Sequence, residues 1–205
     1  MSNKTLAYVV SISALYVACQ ILADVASLRI VMVLGMIIDG GTLIYPLTFT
    51  LRDLVHKATG IVVSRVLVVI AVATNLFMAL YFWLVATLPP DMSIGAQTEF
   101  TAVFSPVLRI VLASIVAELV AELLDGEGYR VWQKRFGERY QWGRVLFSNA
   151  ISVPIDSVLF CVIAFAGLLP VESVVALIIS NLVIKYCISV VSIPLIYFVP
   201  KQLHE

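Results

Sequence analysis

Charge is what this 205-residue chain has least of: 13% of its residues are Asp, Glu, Lys or Arg, where a soluble domain carries about 25%. With 61% apolar residues and a mean hydropathy of +1.05, too little polar surface remains to cover a globule in water, and the solvent has to be lipid. Acidic and basic residues balance at 13 each, so there is no basic excess for nucleic acid to meet, and no nucleic-acid partner is expected. Cysteine is scarce. Cys19, Cys161 and Cys187 lie in apolar runs with no second Cys or His at ligand spacing, which excludes a disulfide scaffold and leaves them as small hydrophobes. The histidines, His56 and His204, stand far apart, and no paired-His zinc helix, Gly-x-Ser-x-Gly elbow, Gly-rich phosphate loop or Cys-x-x-Cys is present. An enzyme would lack a nucleophile with its base. Neither a metal nor a cofactor is expected, and transport is the better class.

What the chain has is long apolar runs. About 20 helical residues cross a bilayer core about 30 Å thick, and the charged and Pro/Gly punctuation divides the sequence into six such runs: Thr5 to Ala23, Leu28 to Leu51, Ile61 to Leu88, Pro106 to Leu124, Val145 to Leu169 and Val174 to Val199. None alternates like a barrel strand, so the expected fold is all-α, a single six-helix transmembrane domain over residues 1–205. Asp39-Gly40-Gly41 interrupts the second run, which is the least regular. The first run is too long for a signal-peptide core and is kept as a helix. With the amino terminus inside, Lys4, Arg52, Lys57, Arg65, Arg130, Lys134, Arg135, Arg139, Arg144 and Lys201 all fall on the cytoplasmic side and only Arg29 and Arg109 outside, which places both termini in the cytoplasm. The segment from about 125 to 143 reads as a basic, amphipathic cytoplasmic loop whose Trp132, Tyr140 and Trp142 suit the headgroup layer.

An ionisable residue in mid-span costs about 2.5 to 3.5 kcal/mol even on insertion scales, so each needs a reason. Asp156 and Lys185 lie about eleven residues into consecutive antiparallel runs, about 16 Å from opposite faces, and so at one level. Pairing is their cheapest arrangement. Asn149, Ser152 and Asp156 follow one another at i, i+3 and i+7, with Arg144, Ser148 and Ser152 at fours along nearly the same face; Pro154 releases the carbonyl of Ala150 toward it. The last run repeats Asn181, Lys185, Ser189 and Ser192, and Pro194 frees the carbonyl of Val190. Glu118 sits inside the fourth run, four residues after Ser114, whereas Glu122 and Asp125 approach its edge. Tyr45-Pro46, Thr48, Thr50, Asp53, Thr74 and Asn75 add a distorted, polar segment, which at membrane depth has to line protein or water. Ala14 and Ala18 form a small-xxx-small step on the first helix.

Thr42-Leu43-Ile44-Tyr45-Pro46-Leu47-Thr48-Phe49 with Asp53 and Gly60 resembles the second-helix signature of the queuosine precursor transporters, the vitamin uptake transporter family. Glu122-Leu123-Leu124-Asp125, Arg144, Ser148-Asn149, Asp156-Ser157, Phe160 and Ile163-Ala164-Phe165 resemble its second block, and Lys185, Pro194 and Tyr197 its last helix. Lys57 departs from the Glu that many members carry there. The resemblance implies a multi-pass carrier of the bacterial inner membrane, similar in fold to the substrate-binding S components of energy-coupling-factor transporters, which imports 7-deazaguanine precursors for tRNA modification. The alternative is a vitamin-binding S component that needs a separate ATP-driven module; a homodimer stays open. For a flat guanine-like cargo, Asp156 or Glu118 would take the donor edge and Asn149 or Asn181 the carbonyl side, while Tyr45, Phe49, Phe160 or Tyr186 would stack on the ring. Ser152, Arg144, Asp53 and Lys185 complete the expected substrate-binding set.

Overall fold

The computed structural model describes residues 3–136 and 141–192. Within them, six helices of 15 residues or more carry the fold: α1 (Asn3–Ala26), α2 (Tyr45–Thr59), α3 (Ile61–Thr87), α5 (Val107–Phe136), α6 (Gln141–Phe165) and α7 (Val171–Ser192). A seven-residue helix, α4 (Thr98–Phe104), precedes α5. Four segments, Leu6–Ala26, Val62–Thr87, Thr98–Ala121 and Val171–Ile188, are long and apolar enough to cross a membrane, and Asn149–Phe165 is a shorter apolar helix. The chain is a mostly helical, multi-pass membrane protein.

Its burial is inverted relative to a water-soluble bundle. Val62, Val66, Val69, Ile70, Phe77, Tyr81 and Leu84 of α3 all face outward, whereas Gln20, Asp24, Asp39, Glu118, Asp156, Asn181 and Lys185 are buried. Lipid accepts the aliphatic exterior, and polar groups have to find partners inside. Two apolar layers lock the helices around them. Val9, Tyr16 and Cys19 of α1 pack with Leu51 and Val55 of α2 and with Leu67 and Ala71 of α3. On the other side, Ile110 and Ala113 of α5 pack with Cys161, Ala164 and Phe165 of α6 and with Val174 and Leu177 of α7.

The second expected span is not a helix across the membrane. Residues Ile30–Val33 (β1) and Met36–Asp39 (β2) form an antiparallel hairpin, a 3-10 turn covers Gly40–Leu43, and only then does α2 begin, with Pro46 in its first turn. The reason is local. β1 and β2 are rich in Val and Ile, which favour strands, and Leu34 (φ 52°) and Gly35 (φ 79°) supply the two left-handed residues that a tight hairpin of matching twist requires. Ile30 and Ile37 then pack against the α5–α7 layer, and β2 lies along α7.

The Gly40-Gly41 pair lets this turn sit against the end of α1: a Cβ on Gly41 would lie 2.1 Å from Ser27 Oγ and 2.4 Å from the Ala23 carbonyl oxygen. No other residue type allows that approach.

One further boundary differs from expectation. The segment expected as a cytoplasmic loop from about 125 continues α5 as helix to Phe136, because Glu127, Arg130, Gln133, Lys134 and Arg135 are good helix formers that outweigh Gly126 and Gly128. Residues 137–140 lie outside the described set, as do Pro194 and Tyr197.

Arg109 takes a role its position in the sequence did not suggest. Its Nε donates to the Ile163 carbonyl at 2.8 Å and Nη2 to the Ala166 carbonyl at 2.6 Å, so a cation on α5 closes the carboxyl end of α6. Arg109→Ala is expected to lower stability by about 1.5 to 3 kcal/mol, read as a fall in the melting temperature of the purified protein; an unchanged melting point would remove the cap from the account.

Candidate functional site

Where the broken second segment meets α1, α5, α6 and α7, the structure holds a narrow cleft with about 340 Å³ of empty space, its open mouth included. Its wall includes Asp24 (α1) and Ser27 just past its end, Asp39, Thr42 and Tyr45, Ser114 (α5), Asp156 and Phe160 (α6), and Asn181 and Lys185 (α7). In this conformation it admits water rather than a ring system.

Three sets of contacts organise it. Lys185 Nζ lies 2.5 Å from Asp156 Oδ2, with side chains only 5% and 6% exposed, so the two mid-span charges do meet and neutralise each other. The same ammonium sits 5.2 Å from the centre of the Tyr45 ring, a cation–π contact that ties α7 to the start of α2.

Asp39 forms the second set. Its Oδ1 accepts from the Thr42 backbone N–H at 3.0 Å and lies 2.8 Å from Ser27 Oγ; its Oδ2 accepts from Thr42 Oγ1 at 2.6 Å and from Asn181 Nδ2 at 3.1 Å. The Thr42 N–H, the Thr42 hydroxyl and the Asn181 amide, with the Ser27 hydroxyl, whose single proton is shared with the Ala23 carbonyl at 2.9 Å, surround a carboxylate of about four lone-pair sites. Thr42 Oγ1 also contacts Asn181 Oδ1, and Asn181 Nδ2 reaches Cys161 Sγ at 3.3 Å. The third set lies one helical turn along α5 from Ser114. Glu118 Oε1 accepts from the Tyr16 hydroxyl at 3.3 Å and from Gln20 Nε2 at 3.4 Å, while Gln20 also donates to Tyr16 at 3.1 Å.

Of the residues expected to bind substrate, Asp156, Lys185, Asn181, Tyr45 and Phe160 come together on the cleft wall. Others do not. Ser152 is buried and Asn149 half-buried on α6, one and two turns before Asp156 and off the wall. Glu118 is held behind the wall by Tyr16 and Gln20. Phe49 packs edge-on against Tyr45, with ring centres 5.3 Å apart and planes at 85°, and Arg52 lies over its ring at 5.8 Å, so it supports the wall rather than forming it. Tyr186 turns elsewhere: its hydroxyl donates to the Ala150 carbonyl at 3.4 Å, the group that Pro154 releases. The side chains of Asp53 and Arg144 lie outside the described residues.

Asp24, Asp39, Thr42 and Ser27 were not expected in the site. A signal was present, because Tyr16, Gln20 and Asp24 recur at i, i+4 and i+8 on one face of α1, and Ser27, one residue past its end, continues the spacing at i+11. Placing the end of the first span at Ala23 hid it.

A helical bundle with a lipid-facing exterior and an ion-paired, hydrogen-bonding cleft at membrane depth is the architecture of a membrane transporter for a small polar solute. Residues 39–199 match the family model described as "Putative vitamin uptake transporter", and the chain belongs to that family. It is also similar to the protein named "Probable queuosine precursor transporter" of Bacillus subtilis (strain 168), with 26% identity over 182 residues, covering 88% of this chain and 80% of the relative. No solved structure matches.

Proposed function

We propose that this transporter imports 7-deazaguanine precursors of queuosine (the 7-cyano form, the 7-aminomethyl form or queuine) across a bacterial inner membrane, as a single chain with both termini in the cytoplasm. The observation that carries the reading is the cleft itself: a hydrogen-bonding wall of Asp39, Thr42, Asn181 and the Asp156–Lys185 pair, with the Tyr45 and Phe160 rings beside it. A planar base needs both elements, in-plane polar partners for its edges and an apolar face on which to lie. The printed name of the Bacillus subtilis relative supports the choice of cargo. Because the cleft is narrow as it stands, loading goes with a parting of its walls.

The second reading is an S component that depends on an ATP-driven module, and the outward-facing Ala14 and Ala18 on α1 favour it as a close-packing surface. Liposomes containing only the purified chain decide between the two. Saturable accumulation or exchange of labelled 7-cyano-7-deazaguanine is expected. Binding without uptake transfers the protein to the second reading, and no binding removes the cargo.

A further inference from the structure

The cleft holds three carboxylates, and two of them are already occupied. Asp156 is neutralised by Lys185 at 2.5 Å, and Asp39 accepts from Ser27, Thr42 and Asn181. Asp24 differs. It is 2% exposed and lines the cleft beside Ser114, and its Oδ2 accepts no hydrogen bond from any described residue. An acceptor oxygen left unsatisfied away from water costs about 1 to 3 kcal/mol, more if charged, so natural structures keep few of them, and each calls for an explanation, of which a bound group is one.

From this geometry we infer that Asp24 is the specificity-determining residue of the cleft and takes the donor edge of the cargo: a ring N–H beside an exocyclic amine, as in a 2-amino-4-oxopyrimidine ring. The inference rests on the proposed function and assigns the donor edge to Asp24 instead of Asp156 or Glu118. The physical warrant is one of supply. A carboxylate discriminates by accepting two parallel N–H groups, and Asp24 is the cleft carboxylate with a fully buried oxygen that no described residue fills. Ser114 and Ala117 of α5 share the wall with it, and Ala117 offers no competing donor. A cargo that lacked the amine would leave the oxygen unpaired as before, and it is this kind of unpaired polar group that gives a site its selectivity.

The test is a binding comparison on the purified full chain with two probes, 7-cyano-7-deazaguanine and the analogue lacking its 2-amino group. The wild-type protein is expected to prefer the first by at least about tenfold. Asp24→Asn, which presents an amide where the carboxylate stood, is expected to narrow the preference to within about twofold; Asp24→Ser serves if the amide variant does not fold. A variant that keeps the full preference overturns the assignment and leaves the import reading intact. Equal binding of both probes by the wild-type protein also overturns it, whatever the variants do. If the wild-type chain binds neither probe, the proposed function fails and takes this inference with it.

Discussion

Replacing Asp156 with Ala while leaving Lys185 in place is expected to destabilise the protein by about 3 to 5 kcal/mol, the cost of stranding one charge of a buried pair. The ammonium of Lys185 is 2.5 Å from its carboxylate partner and has almost no access to solvent. Its other neighbour in the cleft, the Tyr45 ring at 5.2 Å, provides only a weak attraction by comparison. Lys185→Met should do similar damage from the other side, leaving Asp156 without its cation. The informative variant is the double one. Asp156→Leu with Lys185→Met removes both charges at similar volume, and a buried pair exchanged for apolar packing is commonly neutral or stabilising. We therefore expect the double variant to melt near the wild-type temperature yet transport nothing, because the polar edge of the cleft is gone. Single variants that are as stable as the wild type would mean that the pair is hydrated and carries no such energy.

The second large effect is expected at Gly41. An added methyl group would have to occupy space 2.1 Å from Ser27 Oγ and 2.4 Å from the backbone oxygen of Ala23, and the backbone oxygen cannot rotate away. The turn must lift off α1. That displacement breaks the bond that joins Asp39 to Ser27, adding the cost of an unsatisfied polar group to about 1 to 3 kcal/mol of overpacking. Gly41→Ala should therefore abolish uptake and lower the melting temperature sharply. Gly35→Ala is the matched comparison: nothing lies within 4 Å of its Cβ position, and only the strain of a side chain at φ +79° is added, about 1 to 2 kcal/mol. Uptake should survive it. Equal effects at the two glycines would contradict the close approach at Gly41.

These two sites also mark how far the residues alone could be read. Asp156 and Lys185 were legible because lipid makes every mid-span charge conspicuous, and helical rise converts their positions into depths that coincide. The long runs that became α1, α3, α5 and α7 were legible for the same reason, since length and apolarity suffice to define a membrane helix. The second run was not. Ile30-Val31-Met32-Val33 and Met36-Ile37-Ile38 are as apolar as any helix segment, and over a few residues hydropathy cannot separate a buried strand from a helix. The signal that separates them is the punctuation, Leu34-Gly35 between two β-branched tetrads and Gly40-Gly41 after them.

Asp24 escaped for a different reason. A charged residue at the end of an apolar run reads as the boundary itself, yet α1 continues to Ala26 and carries the carboxyl group inside. The cap that Arg109 places on α6 depends on a contact between residues more than fifty positions apart, which no local pattern encodes.

The position of bound cargo is the most direct measurement of the account, obtained from a crystal structure of the chain grown with 7-cyano-7-deazaguanine. The base is expected in the cleft between α1, α5, α6 and α7, with its amine and ring N–H within hydrogen-bond distance of the Asp24 carboxylate, and with the Asp156–Lys185 pair still bordering the site. A base found at another surface, with this cleft closed by interlocked side chains, would contradict it.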